Sequence, residues 1–120
     1  MQYTNEELKQ KIIELKEKLS VTLVAHFYQR DEVFEMADIT GDSLELAIRT
    51  KDDKSDFVVF SGVGFMGQSV KVLSPNKRVV MPKAACCAMA QMIDGAQFDG
   101  AVKALNEAGI ASENIYLSLT

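Results

Sequence analysis

The sequence predicts a three-layer α/β domain with a parallel sheet of about four strands and helices on both faces. Short, nearly continuous apolar runs rich in β-branched residues recur along the chain, and such runs are typical of strands buried on both faces of a parallel sheet. Segments with helical periodicity separate these runs, and this alternation is the signature of parallel α/β architecture. The 120 residues are expected to form one domain, 1–120, because that length suffices for one buried core.

The first helix is predicted from Asn5 to Leu19. Thr4 and Glu7 have the spacing of a capping box, in which each side chain bonds the other's backbone N–H. Apolar residues then recur at helical spacing, which predicts that they lie on one stripe of the helix. The stripe consists of Leu8, Ile12, Leu15 and Leu19.

The remaining elements follow in alternation. Strands are predicted at Val21–Phe27, Phe57–Phe60, Val79–Met81 and Ile115–Leu117. Helical segments are predicted at Val33–Ala37, Leu44–Arg49, Met66–Leu73, Ala88–Met92 and Gly100–Ala108, the last closed by Gly109 as a C-cap. In open parallel sheets the ligand crevice lies outside the carboxyl ends of the strands, so residues that follow each strand are expected to share one rim.

Composition excludes several classes of function. The net charge is −4, and the basic residues are scattered among acidic ones, which argues against a nucleic-acid or anionic-membrane surface. No apolar stretch approaches the ~18 residues of a membrane span, and the first residues lack the pattern of a signal peptide. Two adjacent cysteines make a poor disulfide framework. We therefore expect a cytoplasmic protein with reduced thiols.

The first candidate site follows the first predicted strand. His26 is the only histidine in the chain, and a lone histidine there is more often structural than catalytic. Tyr28 lies two residues on and points to the same side of an extended chain. An imidazole and a phenol on one rim can orient a carboxylate and move a proton to a carbonyl or enol. Both interpretations of His26 stay open.

Two further segments have both a structural and a functional interpretation. Ser43, or Asp42 in its place, could cap the helix starting at Leu44, and the same helix N-terminus could bind a carboxylate or phosphate. Gly62–Gly67 has the letters of a dinucleotide fingerprint, but no Asp or Glu lies in Arg78–Gln91, where the ribose ligand would be expected. These glycines are interpreted as allowing a tight turn and the close approach of some ligand.

Cys86 and Cys87 follow a proline-containing loop at the expected rim. Their spacing is not that of a CxxC zinc or redox motif, and free cysteine is commonly buried as a small apolar residue. Lys83 and a following helix N-terminus would favour a thiolate. Nucleophile, iron–sulfur ligand and inert residue all remain open at this point.

Taken together, these segments resemble the N-terminal third of the quinolinate synthase family. The matching stretches, in the family's order, are Ala25–Gln29, Ala37–Asp38, Gly41–Leu46, Gly62–Met66, Lys71–Lys77, Met81–Pro82 and Cys87–Ala90. The resemblance implies an enzyme, a transferase of NAD biosynthesis that condenses iminoaspartate with dihydroxyacetone phosphate to quinolinate. It also implies three similar α/β domains about a pseudo-threefold axis, each giving one cysteine to a single [4Fe–4S] cluster with one open iron site.

The resemblance assigns roles to individual residues. Cys87 directly precedes Ala-Met-Ala and matches the cluster ligand, with Cys86 as an extra neighbour. His26, Tyr28 and Ser43 match residues of the substrate pocket, with His26 and Tyr28 as the catalytic pair. Phe27 stands where many members have Asn, a difference that we expect to be tolerated.

One thiolate cannot hold a cluster that normally uses three or four, so the 120 residues alone are expected to bind no cluster and to be inactive. The family's other two domains are the expected partners, and apolar surface that would face them is expected to promote self-association. Two alternatives stay open. The chain could be a non-catalytic α/β module that binds a small anion or a partner domain, or a cysteine-dependent enzyme acting through Cys87.

Overall fold

Strands and helices alternate in the computed structural model, which describes residues 3–117. The helices are α1 Asn5–Leu19, α2 Asp31–Phe34, α3 Ser43–Asp52, α4 Gly64–Leu73 and α5 Gly95–Glu107. The strands are β1 Val21–His26, β2 Ile39–Gly41, β3 Phe57–Ser61 and β4 Arg78–Val80. The chain divides into two compact units, the first ending at Cys86 and the second beginning at Cys87. The expectation of one domain over 1–120 stays a prediction.

The four strands belong to the first unit and form one parallel sheet in the order β2-β1-β3-β4. Val24 of β1 pairs with Ile39 of β2, and Val21 pairs with Phe57 of β3. β1 is buried along almost its whole length, as its continuous apolar sequence predicts. The predicted fold class, a three-layer α/β domain with about four parallel strands, is confirmed.

The core lies between one face of the sheet and the helices α3 and α4. Side chains of one strand face alternate with those of the other, and the buried set on the core face includes Val24, Val58 and Phe60. Leu46 of α3 and Val70 of α4 are also fully buried there. Removing a side chain such as Phe60 would leave a cavity, which typically costs about 3–5 kcal/mol.

Helix α1 begins and ends where the sequence predicts. Thr4 and Glu7 form both hydrogen bonds of the capping box. On the side that faces α2 and β2, the Lys16 ammonium lies 2.7 Å from Asp38 Oδ1, and Asp38 Oδ2 accepts a hydrogen bond from the Leu23 N–H at 2.8 Å. One carboxylate thus joins α1 to β1 just before β2 begins.

An open apolar groove of about 700 Å³ lies between α1 and the sheet face opposite the core. Its walls include Leu8, Ile12 and Leu15 from the predicted apolar stripe and Leu23 and Val59 from the sheet. The stripe residues remain 39–52% exposed, so the first unit alone does not bury this surface. Exposed apolar surface of this kind favours association, but self-association itself stays a prediction.

Two predicted elements differ from the structure in their type. Ile115–Leu117 forms no strand, and Tyr116 is 88% exposed. Ala88–Met92 contains only the 3-10 turn Met89–Gln91 instead of an α-helix. Both predictions were wrong because short apolar runs have no fixed secondary structure without packing partners.

Two further elements differ in extent or existence. β2 was not predicted, although it pairs with β1 over three residues. α5 begins at Gly95, five residues before the predicted start, because Asp94 and Gln97 form a capping box. The C-cap of α5 is Ala108, not Gly109 as predicted. Gly109 is the next residue, and its φ of 90° is the left-handed conformation in which glycine commonly terminates a helix. No helix within residues 3–117 is long and apolar enough to cross a membrane.

Hydrogen bonds among polar residues connect the amino ends of β1, β3 and β4. The Thr22 hydroxyl donates to Asp53 Oδ1 at 2.7 Å, and the Ser55 N–H donates to the same oxygen at 2.9 Å. Lys77 is buried, with 8% of the residue exposed, and its ammonium donates to the carbonyl oxygens of Asp53 and Ser55 at 2.6 and 2.7 Å. Burial acts to raise the pKa of Asp53, but these hydrogen bonds and the Lys77 charge together hold it below its usual value.

Asp53 is therefore expected to make stability depend on acid pH. A carboxyl whose pKa is lower in the folded than in the unfolded chain contributes stability in full above the unfolded value of about 3.9. That contribution is lost as the pH falls through the lower folded value. Asp53→Asn should lower the free energy of unfolding at neutral pH by about 1–2 kcal/mol and flatten its decline below about pH 4.

The measurement is urea denaturation across the acid range, with Asp52→Asn as the matched control. Asp52 is the exposed last residue of α3, and its replacement should leave the pH dependence nearly unchanged. An Asp53→Asn variant with the wild-type slope below pH 4 would contradict this explanation.

Candidate functional site

The candidate site lies at the carboxyl edge of the sheet, where β1 ends at His26. His26 is 6% exposed as a residue, whereas Tyr28 is 85% exposed. The two rings meet edge to face, with centroids 4.7 Å apart. The structure thus brings together the two side chains that strand alternation predicts to be neighbours. His26 is buried, whereas Tyr28 is exposed to solvent.

One hydrogen bond fixes the tautomer of His26. The Tyr28 backbone N–H donates to His26 Nδ1 at 3.2 Å, so Nδ1 carries no proton in this arrangement. In a neutral imidazole the proton then sits on Nε2. His26 is consequently arranged to donate one hydrogen bond from Nε2 to an acceptor such as a carboxylate or carbonyl oxygen.

Two opposing effects act on the charge of His26. Burial lowers its pKa below the usual value, because the imidazolium is the form that loses hydration. The Asp42 carboxylate acts in the opposite direction and raises it, but burial is the larger effect. His26 is therefore predominantly neutral at pH 7, which agrees with the role of Nδ1 as an acceptor.

The start of α3 lies beside His26 because β2 pairs with β1. His26 is the register partner of Gly41, and the Phe27 N–H donates to the Gly41 carbonyl at 3.2 Å. Asp42 is the N-cap, since its Oδ1 accepts from the Glu45 N–H at 2.9 Å. Ser43 is the first residue of α3 and is half-buried. Asp42 is therefore the cap, and the Ser43 hydroxyl is not used for capping.

The glycine-rich segment is explained by packing within the chain. A Cβ at Gly62 would lie 2.6 Å from the Phe60 ring, and a Cβ at Gly67 would lie 2.5 Å from Met81 Sδ. The Gly64 N–H donates to the Ala85 carbonyl at 2.9 Å. The glycines thus let α4 approach β3 and the loop after β4, whereas the sequence had suggested the close approach of a ligand.

The cysteines lie at the boundary between the two units. Cys86 is exposed and ends the first unit, and Cys87 is half-exposed and begins the second. Both thiols are free. Within residues 3–117 no group of three or more His, Cys, Asp or Glu side chains is placed to hold a metal ion. The expectation that Cys87 shares a rim with His26 stays a prediction.

Asp42 has two roles at this site, as the cap of α3 and as a charge that acts on His26. The sequence alone does not reveal the second role. It indicates Asp42 only as an alternative cap, and no local pattern indicates that its carboxylate acts on His26. The missing information was β2, because only the pairing of Gly41 with His26 brings the start of α3 to the end of β1.

This fold and edge define the class of the protein, an α/β domain that presents polar side chains at the carboxyl ends of parallel strands, where such sheets bind small ligands. Comparison with known families makes the assignment specific. The family described as quinolinate synthetase A protein matches residues 10–113, and the chain belongs to this family.

Individual relatives agree with this membership. The quinolinate synthase of Helicobacter pylori (strain ATCC 700392 / 26695) is 51% identical over 107 residues, which cover 89% of this chain and 32% of the relative. That of Methanoregula boonei is 49% identical over 87 residues, or 72% of this chain and 29% of the relative. The quinolinate synthase of Pyrococcus furiosus is 47% identical over 89 residues, which cover 73% of this chain and 29% of the relative. The chain spans about a third of the length of the curated relatives that it matches.

Proposed function

We propose that this chain forms one α/β domain, the N-terminal third, of a cytoplasmic quinolinate synthase of NAD biosynthesis. The whole enzyme condenses iminoaspartate with dihydroxyacetone phosphate to give quinolinate. The observation that carries the proposal is the family match over residues 10–113. The paired rings of His26 and Tyr28 at the carboxyl edge support it, since they lie within this match.

In this proposal His26 and Ser43 bind the carboxylates of the imine substrate or of the product. The Nε2–H of His26 donates one hydrogen bond to a carboxylate. Because the ring is neutral, the carboxylate is the only charge that this contact removes from water. The Ser43 hydroxyl and the first N–H groups of α3 offer further donors, which suit a carboxylate at a helix N-terminus.

Tyr28 is the proposed proton-transfer group. Its ring contacts the His26 ring edge to face, while its hydroxyl end extends from a residue that is 85% exposed. A phenol in this position can give a proton to a carbonyl or enol oxygen and take it back during isomerisation. The contact with the His26 ring keeps the phenol next to the imidazole, so that both side chains can reach one bound substrate.

Cys87 fits the role of a single cluster ligand. Its thiol is free and accessible, but a [4Fe–4S] cluster takes three or four thiolates, and adjacent side chains point apart, so Cys86 is a poor second ligand. The remaining ligands are proposed to come from the enzyme's other two domains. When bound, the cluster supplies an open iron that acts as a Lewis acid toward a substrate oxygen.

The test is a chimeric enzyme in which this chain replaces the matched third of the Helicobacter pylori relative. The chimera is expected to bind a [4Fe–4S] cluster after anaerobic reconstitution and to form quinolinate, whereas the 120-residue polypeptide alone does neither. A folded, cluster-containing chimera without quinolinate formation would overturn the proposed function. A stoichiometric cluster on the polypeptide alone would overturn the assignment of Cys87 as one ligand among several.

A further inference from the structure

The turn from β2 into α3 carries the Ser43 hydroxyl. β2 ends at Gly41, and Ser43 is the first residue of α3. The Gly41 carbonyl accepts from the Phe27 N–H at 3.2 Å, and Phe27 directly follows His26. The place of Ser43 relative to His26 therefore depends on how this turn is held.

A side chain of α3 reaches back to the strand that precedes the helix. β2 is an edge strand of the sheet, so one side of it is open to contacts from outside the sheet. Arg49 Nη1 donates to the Thr40 carbonyl at 2.7 Å and to Glu45 Oε1 at 3.2 Å. One guanidinium thus joins α3 to the residue before Gly41.

The Glu45 carboxylate lies against Gly41. A Cβ at Gly41 would lie 2.7 Å from Glu45 Oε2 and 3.0 Å from Glu45 Cδ, so the carboxylate occupies the space that a side chain there would need. An exposed ion pair four residues apart on a helix contributes little by itself. This pair, however, also packs on the buried Gly41 and bonds the Thr40 carbonyl. It therefore connects α3 to the end of β2 at two successive residues.

We propose that Glu45 and Arg49 are positioning residues for Ser43. They hold the turn between β2 and α3, so that the Ser43 hydroxyl and the first N–H groups of α3 keep one place beside His26. Neither side chain is proposed to touch the substrate. The role of Ser43 as a carboxylate ligand rests on the proposed function, whereas the link from Arg49 and Glu45 to the turn does not.

The link itself is tested in the 120-residue polypeptide by amide hydrogen exchange. The Phe27 N–H reports on the turn, because its acceptor is the Gly41 carbonyl. In Glu45→Ala and in Arg49→Ala it is expected to exchange about 5–10-fold faster, the size of effect that the loss of one hydrogen bond produces. Amides of β3 should keep their wild-type rates. An unchanged Phe27 rate in these variants would overturn the proposal, whatever the chimeric enzyme does.

The meaning for binding is tested in the chimeric enzyme. Glu45→Ala and Arg49→Ala should each raise the Kd of quinolinate and the KM of the imine substrate by about 10-fold, less than the ~10²-fold that a misplacement of 1 Å can cost. The value of kcat should stay within about threefold of the parent, because a contact made equally in the ground and transition states changes KM alone. Glu45→Gln keeps an oxygen acceptor for Arg49 and the volume over Gly41, so its values should stay close to those of the parent.

Gly41→Ala tests the contact from its other side and serves if the alanine variants of α3 do not fold. The added Cβ would displace the Glu45 carboxylate without removing a charge, so the same Kd and KM should rise. In Gly41→Ala combined with Glu45→Ala the added methyl group has free space, and the two effects should not add.

Glu107→Ala is the matched control, because it breaks Lys103–Glu107, an exposed pair of the same spacing within α5. An equal rise of Kd and KM in this control, or additive effects in the double variant, would overturn the proposal. Parental Kd and KM in folded, cluster-containing Glu45→Ala and Arg49→Ala enzymes would overturn it as well. A chimera that forms no quinolinate overturns the proposed function instead, and the exchange rate of the Phe27 N–H then decides the link alone.

Discussion

In the chimeric enzyme, Cys87→Ser is expected to abolish both the [4Fe–4S] cluster and quinolinate formation. A serine hydroxyl is a poor substitute for a thiolate, which is the ligand that iron–sulfur clusters use. The free, half-exposed thiol of Cys87 is the proposed ligand of this domain. Iron and sulfide content per chain, the visible absorption of the cluster and the rate of quinolinate formation should all fall to background.

The neighbouring thiol provides the control for this variant. Cys86 is exposed and is not a proposed ligand, so Cys86→Ser should leave iron content and quinolinate formation close to those of the parent chimera. Loss of the cluster in Cys86→Ser with retention in Cys87→Ser would show that the ligand has been assigned to the wrong cysteine. Equal loss in both variants would indicate that the pair acts jointly or that the segment misfolds, which circular dichroism distinguishes.

The elements that sequence reasoning placed well are those specified by local signals. α1 was predicted at its observed bounds because the capping box of Thr4 and Glu7 marks its start and an apolar stripe runs along it. Both ends of β1 and of β3 were predicted to within one residue. Each of these strands is a dense apolar run, which is typical of a strand buried in a parallel sheet.

β2 was missed because its strand conformation comes from distant contacts. Ile-Thr-Gly is only three residues long and ends in glycine, which is a poor strand former. Its place is set by pairing with β1 and by the Asp38 carboxylate, which bonds the Leu23 N–H fifteen positions earlier in the chain. A single sequence contains neither contact as a local pattern.

The site shows the same division between local and long-range information. The alternation of strand side chains was enough to place Tyr28 next to His26. The choice between Asp42 and Ser43 as the cap could not be made, because both residue types cap helices well. The His26 tautomer depends on the turn that directs the Tyr28 N–H to Nδ1, and this turn has no sequence signature of its own.

His26→Ala is expected to lower quinolinate formation by the chimeric enzyme by about 10²–10⁴-fold, the usual range for a lost acid–base or orienting group. The change removes the Nε2–H donor and also the ring against which Tyr28 packs. Tyr28→Phe keeps that ring contact and removes only the hydroxyl. It should therefore lower kcat with little change in KM, whereas His26→Ala should affect both, because the imidazole is proposed to bind the substrate carboxylate as well.

Phe27→Asn is the matched control for this pair, since it changes the residue that lies between them in the chain. Phe27 is 55% exposed, and its replacement should leave quinolinate formation within a few-fold of the parent. Cluster content should be the same in the parent and in all three variants.

Because burial holds the pKa of His26 below its usual value, the parent should keep its His26-dependent activity from neutral pH down to mildly acid pH and lose it only when the ring is protonated. A His26→Ala enzyme with parental kcat and KM and a full cluster would show that the histidine is only part of the buried strand end.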